Sequence, residues 1–203
     1  MARQADVTRL PLQGLDLKVA AAQATLLRGA GFMAGQAGAG TFSSSGFVSG
    51  AKAYRWRAKI IANALRELDR FLNILADETA KSFGYSLPEG QRNTANKLRD
   101  FEPFAIPWED YERLVALGRS GVCLFYCDGR VSSGDRRGRL TFTAGWPPRG
   151  GPVNQLTRMT IGDWLVVEEV ELHDIAEFYR RLAMRLGALA NAGSACGNTV
   201  IPH

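Results

Sequence analysis

Three cysteines, two histidines and several groups of arginines are the residues of this chain whose chemistry merits testing first. Cys123 and Cys127 bracket the apolar run VCLFYC, and residues four apart share one face of a helix or a strand. Two thiols so placed can begin a metal site. A structural zinc centre, however, needs four convergent ligands, and the remaining donors Cys196, His173 and His203 form no second cluster. The two cysteines are therefore expected to pack as buried, reduced thiols without a metal. A Cys-His or Ser-His nucleophile meets the same shortage. His173 opens a helix between Glu171 and Asp174, the place of a solvated helix-start histidine rather than of a general base. The acidic residues are scattered along helix faces and give no acid-base pair. No catalytic residue, metal ligand or cofactor is assigned.

Phosphate chemistry is the other possibility. Gly29, Gly31 and Gly35 read G-x-G-x-x-x-G, one residue too long for the dinucleotide fingerprint and following a helix rather than a strand. No Gly-Lys-Ser/Thr follows, so a bare linker is expected there. Cationic side chains are better placed. Arg130, Arg136, Arg137 and Arg139 stand against the single Asp135 in GRVSSGDRRGR, where a loop presents them outward. Arg55, Lys59, Arg66 and Arg70 recur at intervals of four, seven and four, which aligns them along a helix face. Each group is either an ordinary solvated surface or a ridge that neutralises a nucleic-acid backbone, since guanidinium forks match phosphate oxygens. Asp69 and Asp77, beside the second group, weaken it.

The elements that must position these residues follow from hydrophobic spacing. In 51–83, Ile61, Leu65, Leu68, Leu72, Leu75 and Thr79 alternate by four and three, one apolar stripe of a long helix that Gly84 stops. Leu172, Ile175, Tyr179, Leu182, Leu186 and Leu189 repeat the pattern in 172–190, where Glu177 and Arg181 add an i,i+4 pair. The two stripes are expected to pack on one another. A shorter helix spans 91–101 until Pro103 and Pro107 break it, and another runs from Trp108 to Gly118. Period alone does not distinguish strand from helix for VCLFYC. Residues 139–145 and 153–160 alternate as strands, and 164–170 form a further strand or the lead into the last helix.

At the amino-terminal end, 1–16 read as a loose arm and 17–28 as a short alanine-rich helix. Residues 29–50 hold seven glycines and four serines, a composition that argues for a flexible connector. Three segments result: an arm and connector over 1–50, a helical domain over 51–190 with a β insertion around 139–170, and a tail over 191–203. The expected class is mainly α, a bundle of about four to five helices with a small antiparallel β appendage. A hydrophobic content of 46% in 203 residues suffices for one core, and a charged fraction of 22% is unlike a disordered chain. MARQADVTRL has no apolar leader segment, and no run approaches 18 apolar residues, so a cytoplasmic protein with free thiols and no membrane partner is expected.

The order of these features, and above all W-x-x-Y-E-R-L-V-A-L-G-R-S-G-V-C-L-F-Y-C-D-G-R-V after a long helix and NKLRDF, resembles the HEPN superfamily of small helical-bundle domains. The resemblance covers roughly 55–190. It implies a helix bearing R-N-x-x-x-H, whose arginine and histidine converge across a dimer and cleave RNA without a metal. Here Arg119 falls on the family arginine, Ser120 on the asparagine and Leu124 on the histidine, with Gly129 and Val131 following. Arg92-Asn93 offers a second start, but Lys97 takes its histidine place. The implied protein is a scaffold without the imidazole, a non-catalytic domain that contacts RNA or a protein partner through Arg119 and the basic groups above. A net charge of +5 agrees with a polyanionic partner. A divergent metal-independent ribonuclease using Arg119 and a structural dimerisation module, its stripes forming the seam of a homodimer, are the alternatives.

Overall fold

A computed structural model of the chain describes residues 9–38, 51–85, 93–152 and 155–196. Among the described residues there are five α-helices: α1 (Arg9–Gly38), α2 (Ala51–Ser82), α3 (Thr94–Asp100), α4 (Trp108–Tyr126) and α5 (Glu169–Cys196). Between α4 and α5 lie β1 (Thr141–Thr143) and β2 (Arg158–Thr160), paired antiparallel with Phe142 opposite Met159. This is the expected mainly helical bundle with a small two-stranded appendage.

The apolar stripes explain the bundle. On α2, Ile61, Leu65, Leu68, Leu72, Leu75 and Thr79 are all buried, and on α5 so are Leu172, Ile175, Tyr179, Leu182 and Leu186, with Leu189 half-buried. The stripes lie inside the protomer, so they are not the seam of a dimer. They do meet, but α1 packs against both helices and makes with α5 the most extensive helix pairing described.

The reading of the amino-terminal region is thereby corrected. The short helix over 17–28 extends across 9–38, so part of the expected arm and ten residues of the expected connector are helical. Leu26, Ala30 and Met33, at i, i+4 and i+7, are buried in the common core. Each helical glycine costs about 1 kcal/mol relative to alanine, a penalty that packing here outweighs. Gly29 shows how: a Cβ there would lie 3.1 Å from Leu68 Cδ2 and 3.2 Å from Phe71 Cδ2, so its small size lets α1 approach α2. The rest of the connector, 39–50, and residues 1–8 lie outside the described residues.

Other boundaries move less. VCLFYC is helical up to Tyr126, and α4 runs unbroken to there from Trp108, because Leu114, Leu117, Cys123 and Leu124 continue one buried face. Arg119 thus sits inside a helix instead of closing one. The expected 91–101 helix is α3, capped where Asn93 accepts from the Asn96 amide. WLVVEEV is not a strand. Its Trp164 makes one bridge to Arg130, and the chain then extends into α5, which begins at Glu169 and continues past 190 to Cys196.

The corner after α4 joins the parts. The amides of Cys127 and Gly129 both donate to the Cys123 carbonyl at 3.0 and 3.1 Å, while Asp128 and Gly129 take left-handed φ angles of 52° and 87°. Glycine is required at 129 for a second reason. A Cβ there would stand 2.5 Å from the Tyr54 hydroxyl, which donates to Leu165 O at 2.8 Å. Tyr54 also meets Trp164 edge to face at 5.3 Å, so α2, the end of α4 and the strand-side segment share one joint.

Candidate nucleic-acid interface

The β appendage brings a basic loop against α4. The loop is folded back by Asp135, whose carboxylate accepts from the Thr143 amide at 2.9 Å and from its hydroxyl at 2.6 Å, while its own amide donates to Thr141 O. Arg119, two residues past the centre of α4, reaches the same aspartate, 3.2 Å from both its carboxylate and its carbonyl oxygen. Arg119 is therefore engaged in anchoring the loop. Arg136 and Arg139 remain exposed on it, and Arg158 lies across from Thr143 in the β register. None of these three makes an ion pair with a described residue.

Two contiguous depressions of about 450 and 250 Å³ follow this surface, sharing Asp135, Arg136, Thr143 and Arg158. Arg139 borders the smaller, and Arg119 with the outer face of α4 borders the larger. At its far end stands Trp108, 59% exposed, on the first turn of α4 after Pro107. Its ring leans on Tyr111 at 5.0 Å, and the Arg99 guanidinium covers Tyr111 at 4.9 Å and donates to its hydroxyl. The result is a groove lined by three guanidinium groups without an ionic partner among the described residues and by a propped indole. Arginine forks take phosphate oxygens, and an exposed ring with a fixed neighbour offers a stacking face. Glu112 and the fully engaged Asp135 are the carboxylates of the lining.

The structure separates the other predicted residues. Arg130 and Arg137 are exposed but outside this lining, and Arg130 sits instead at the Trp164 bridge. Along α2, Arg55 and Lys59 both approach Asp128, at 3.5 and 3.8 Å, and Arg70 pairs with Glu67. Arg66 bonds Asn63 and faces the Phe125 ring at 5.9 Å, on another side of α4. The stripe is thus exposed yet largely neutralised, and it does not join the groove. Asp69 and Asp77 turn away from it toward α3, where Asp69 accepts from Thr94 and Asp77 pairs with the buried Lys97 at 2.7 Å.

Trp108, Tyr111 and Arg158 were not singled out from the sequence. The first two appear there as part of an amphipathic helix, and Arg158 is an alternating strand residue. Only the pairing of β1 with β2 and its seat beside α4 assembles them. Of the motif positions, Ser120 is fully buried and accepts from the Gly145 amide at 3.3 Å, and Leu124 is a core side chain.

The cysteines also differ from one another. Cys123 is 6% exposed, and burial together with neighbouring Cys127 pushes its thiol up to about 11. Cys127 is only half-buried, at the end of α4, with its sulfur 3.2 Å from the Ser132 hydroxyl, because the helix unwinds there before the cysteine can turn inward. The expectation that both are buried holds for Cys123 alone. No cluster of three or more His, Cys, Asp or Glu side chains fit to hold a metal occurs among the described residues. His173 is exposed on the first turns of α5, while Asp174 beside it turns inward to Arg113. His203 and the side chain of Cys196 lie outside the described residues. No described helix is long and apolar enough to cross a membrane.

Comparison of the chain with protein-family models, with curated proteins and with solved structures finds no match.

Proposed function

We propose that this protein is a non-catalytic helical-bundle domain that binds single-stranded RNA in the groove between α4 and the β appendage. The observation that carries this reading is the conjunction of Arg136, Arg139 and Arg158, without ionic partners among the described residues, with an exposed Trp108 along one continuous depression. Sequence-tolerant binding of single strands combines these two things, a cationic track for the backbone and aromatic faces for the bases. The likeness to HEPN domains enters this proposal at the level of the scaffold only. Arg119 holds Asp135, and the position that would carry the imidazole is a leucine 1% exposed, so both serve the fold.

The test is fluorescence anisotropy with labelled ten-nucleotide uridine and adenosine oligomers over a series of salt concentrations. Replacing Arg136, Arg139 and Arg158 together with alanine is expected to reduce the salt slope by about two, three contacts at about 0.7 each. Trp108→Ala is expected to weaken binding by about tenfold, within the 1–3 kcal/mol typical of one stacked base, while leaving the salt slope unchanged. Absence of binding at low salt, or binding indifferent to both changes, refutes the reading. Metal-independent cleavage of the oligomers that is lost in Arg119→Ala would establish the ribonuclease alternative.

A further inference from the structure

On another side of α4, between it and α2, the helices leave a cavity of about 290 Å³ that the groove does not use. Its walls are apolar, from Leu65, Leu117 and Phe125, and its rim holds exposed Val122 and Tyr126 together with Arg66. It opens because α4 carries Gly118 and Gly121 where larger side chains would fill the space. A Cβ on Gly118 would meet nothing within 4 Å, and one on Gly121 would find Leu65 only at ordinary contact distance, 3.8 Å.

The floor is not apolar. Tyr179 reaches it from α5 and is 2% exposed, yet its hydroxyl makes no hydrogen bond to any described residue. Tyr179 is among the residues that line this cavity. A buried tyrosine normally finds a partner for its hydroxyl. Beside it in the lining is Asp69, held by the Thr94 hydroxyl at 3.0 Å through one carboxylate oxygen. Burial raises both groups, the phenol of Tyr179 and the carboxyl of Asp69, which keeps the phenol a donor.

We propose that this cavity is a small-molecule site for a compact aromatic ligand bearing a hydroxyl, the ring against Leu65, Leu117 and Phe125 and the hydroxyl between Tyr179 and Asp69. A ligand hydroxyl accepts from Tyr179 and donates to Asp69, and so completes both. The volume is right for one ring with a substituent, since a dry cavity of about 150 Å³ already takes benzene. Apolar walls with two convergent polar groups are the ordinary form of a ligand pocket. The inference stands apart from RNA binding, because Tyr179, Asp69 and the cavity walls take no part in the basic groove.

The experiment titrates the full-length protein with phenol and, separately, with toluene of nearly the same shape, following both by ligand-observed NMR. Phenol is expected to bind more tightly than toluene by about three- to tenfold, the value of a net hydrogen bond. Tyr179→Phe is expected to weaken that preference, Asp69 alone remaining for the ligand hydroxyl, while leaving the ligand-free thermal midpoint unchanged or higher. Gly121→Leu, which fills the space from α4, is expected to abolish binding of both ligands. The proposal fails if neither ligand binds, if wild type does not prefer phenol, or if Tyr179→Phe keeps the preference undiminished. A large loss of stability in Tyr179→Phe would also overturn it, since the hydroxyl would then have a partner within the fold.

Discussion

At the scale of single residues, the two cysteines of VCLFYC show how far spacing carries. Positions four apart share a helical face in general, but α4 ends at Tyr126, and its final residue pair is parted by the unwinding at Cys127. One thiol therefore enters the core and the other stays at the boundary. With its ordinary value of 9.0 raised to about 11, Cys123 is almost wholly protonated at neutral pH, and the thiolate is the reacting species. In a Cys196→Ser background at pH 8, iodoacetamide is expected to modify Cys127 and to spare Cys123 in the native protein. Mass spectrometry of the labelled peptide measures it, and equal rates at the two sites would contradict the burial. The sign for stability follows: a group whose value is raised on folding supports the fold below about pH 9, and that support is lost as pH climbs through about 11.

At the scale of elements, α1 is where local chemistry and tertiary packing part company. Glycine and alanine in LRGAGFMAGQAG argue for a connector when helix propensity is summed along the chain, because nothing local signals a partner. In the fold, the small size of Gly29 is what allows α1 to lie close to α2. If α1 is a core helix, Leu26→Ala should cost about 2–5 kcal/mol, as for any fully buried leucine. Chemical denaturation gives the value, and a change below about 0.5 kcal/mol would return the segment to the status of an arm. The α2 stripe behaved oppositely: a 32-residue helix was legible because three-four spacing and burial agree from Ile61 to Thr79.

At the scale of the whole molecule, a charged network inside the bundle ties the appendage to the helices. Arg113 of α4 is buried, donates to Gly145 O at 3.1 Å in the segment after β1, and pairs with Asp174 of α5 while lying 4.5 Å over the Phe178 ring. Desolvation lowers its guanidinium, which Asp174 counteracts. Beside it, Arg181 reaches Asp110 at 2.6 Å. Asp174→Ala leaves a buried cation without its partner and should cost about 3 kcal/mol, the low end for buried pairs because Asp174 keeps some contact with water. In a chain of this size that is a fall in thermal midpoint of about 6–12 °C. Arg113→Met should cost less, since Asp174 can hydrate once its partner is gone. The reverse order in a melting experiment would place the buried charge elsewhere.

Periodicity and composition determined that this chain builds a helical bundle, roughly where α2 and α5 run, and that a basic, glycine-bearing loop separates two elements. These are properties of contiguous residues, and burial of one apolar face dictates them. Which arginines act together was decided only by the tertiary structure. Arg119 and Arg136 are seventeen residues apart, and Arg158 lies a further twenty-two along the chain. Ion pairs form through space, so Asp135 could be seen to engage Arg119, and Asp128 to face Arg55 and Lys59, only once the corner after α4 and the pairing of β1 with β2 had set those distances. The cavity over Tyr179 is of the same kind. An orphaned hydroxyl is defined by what three helices fail to place beside it, and no local pattern of residues records that.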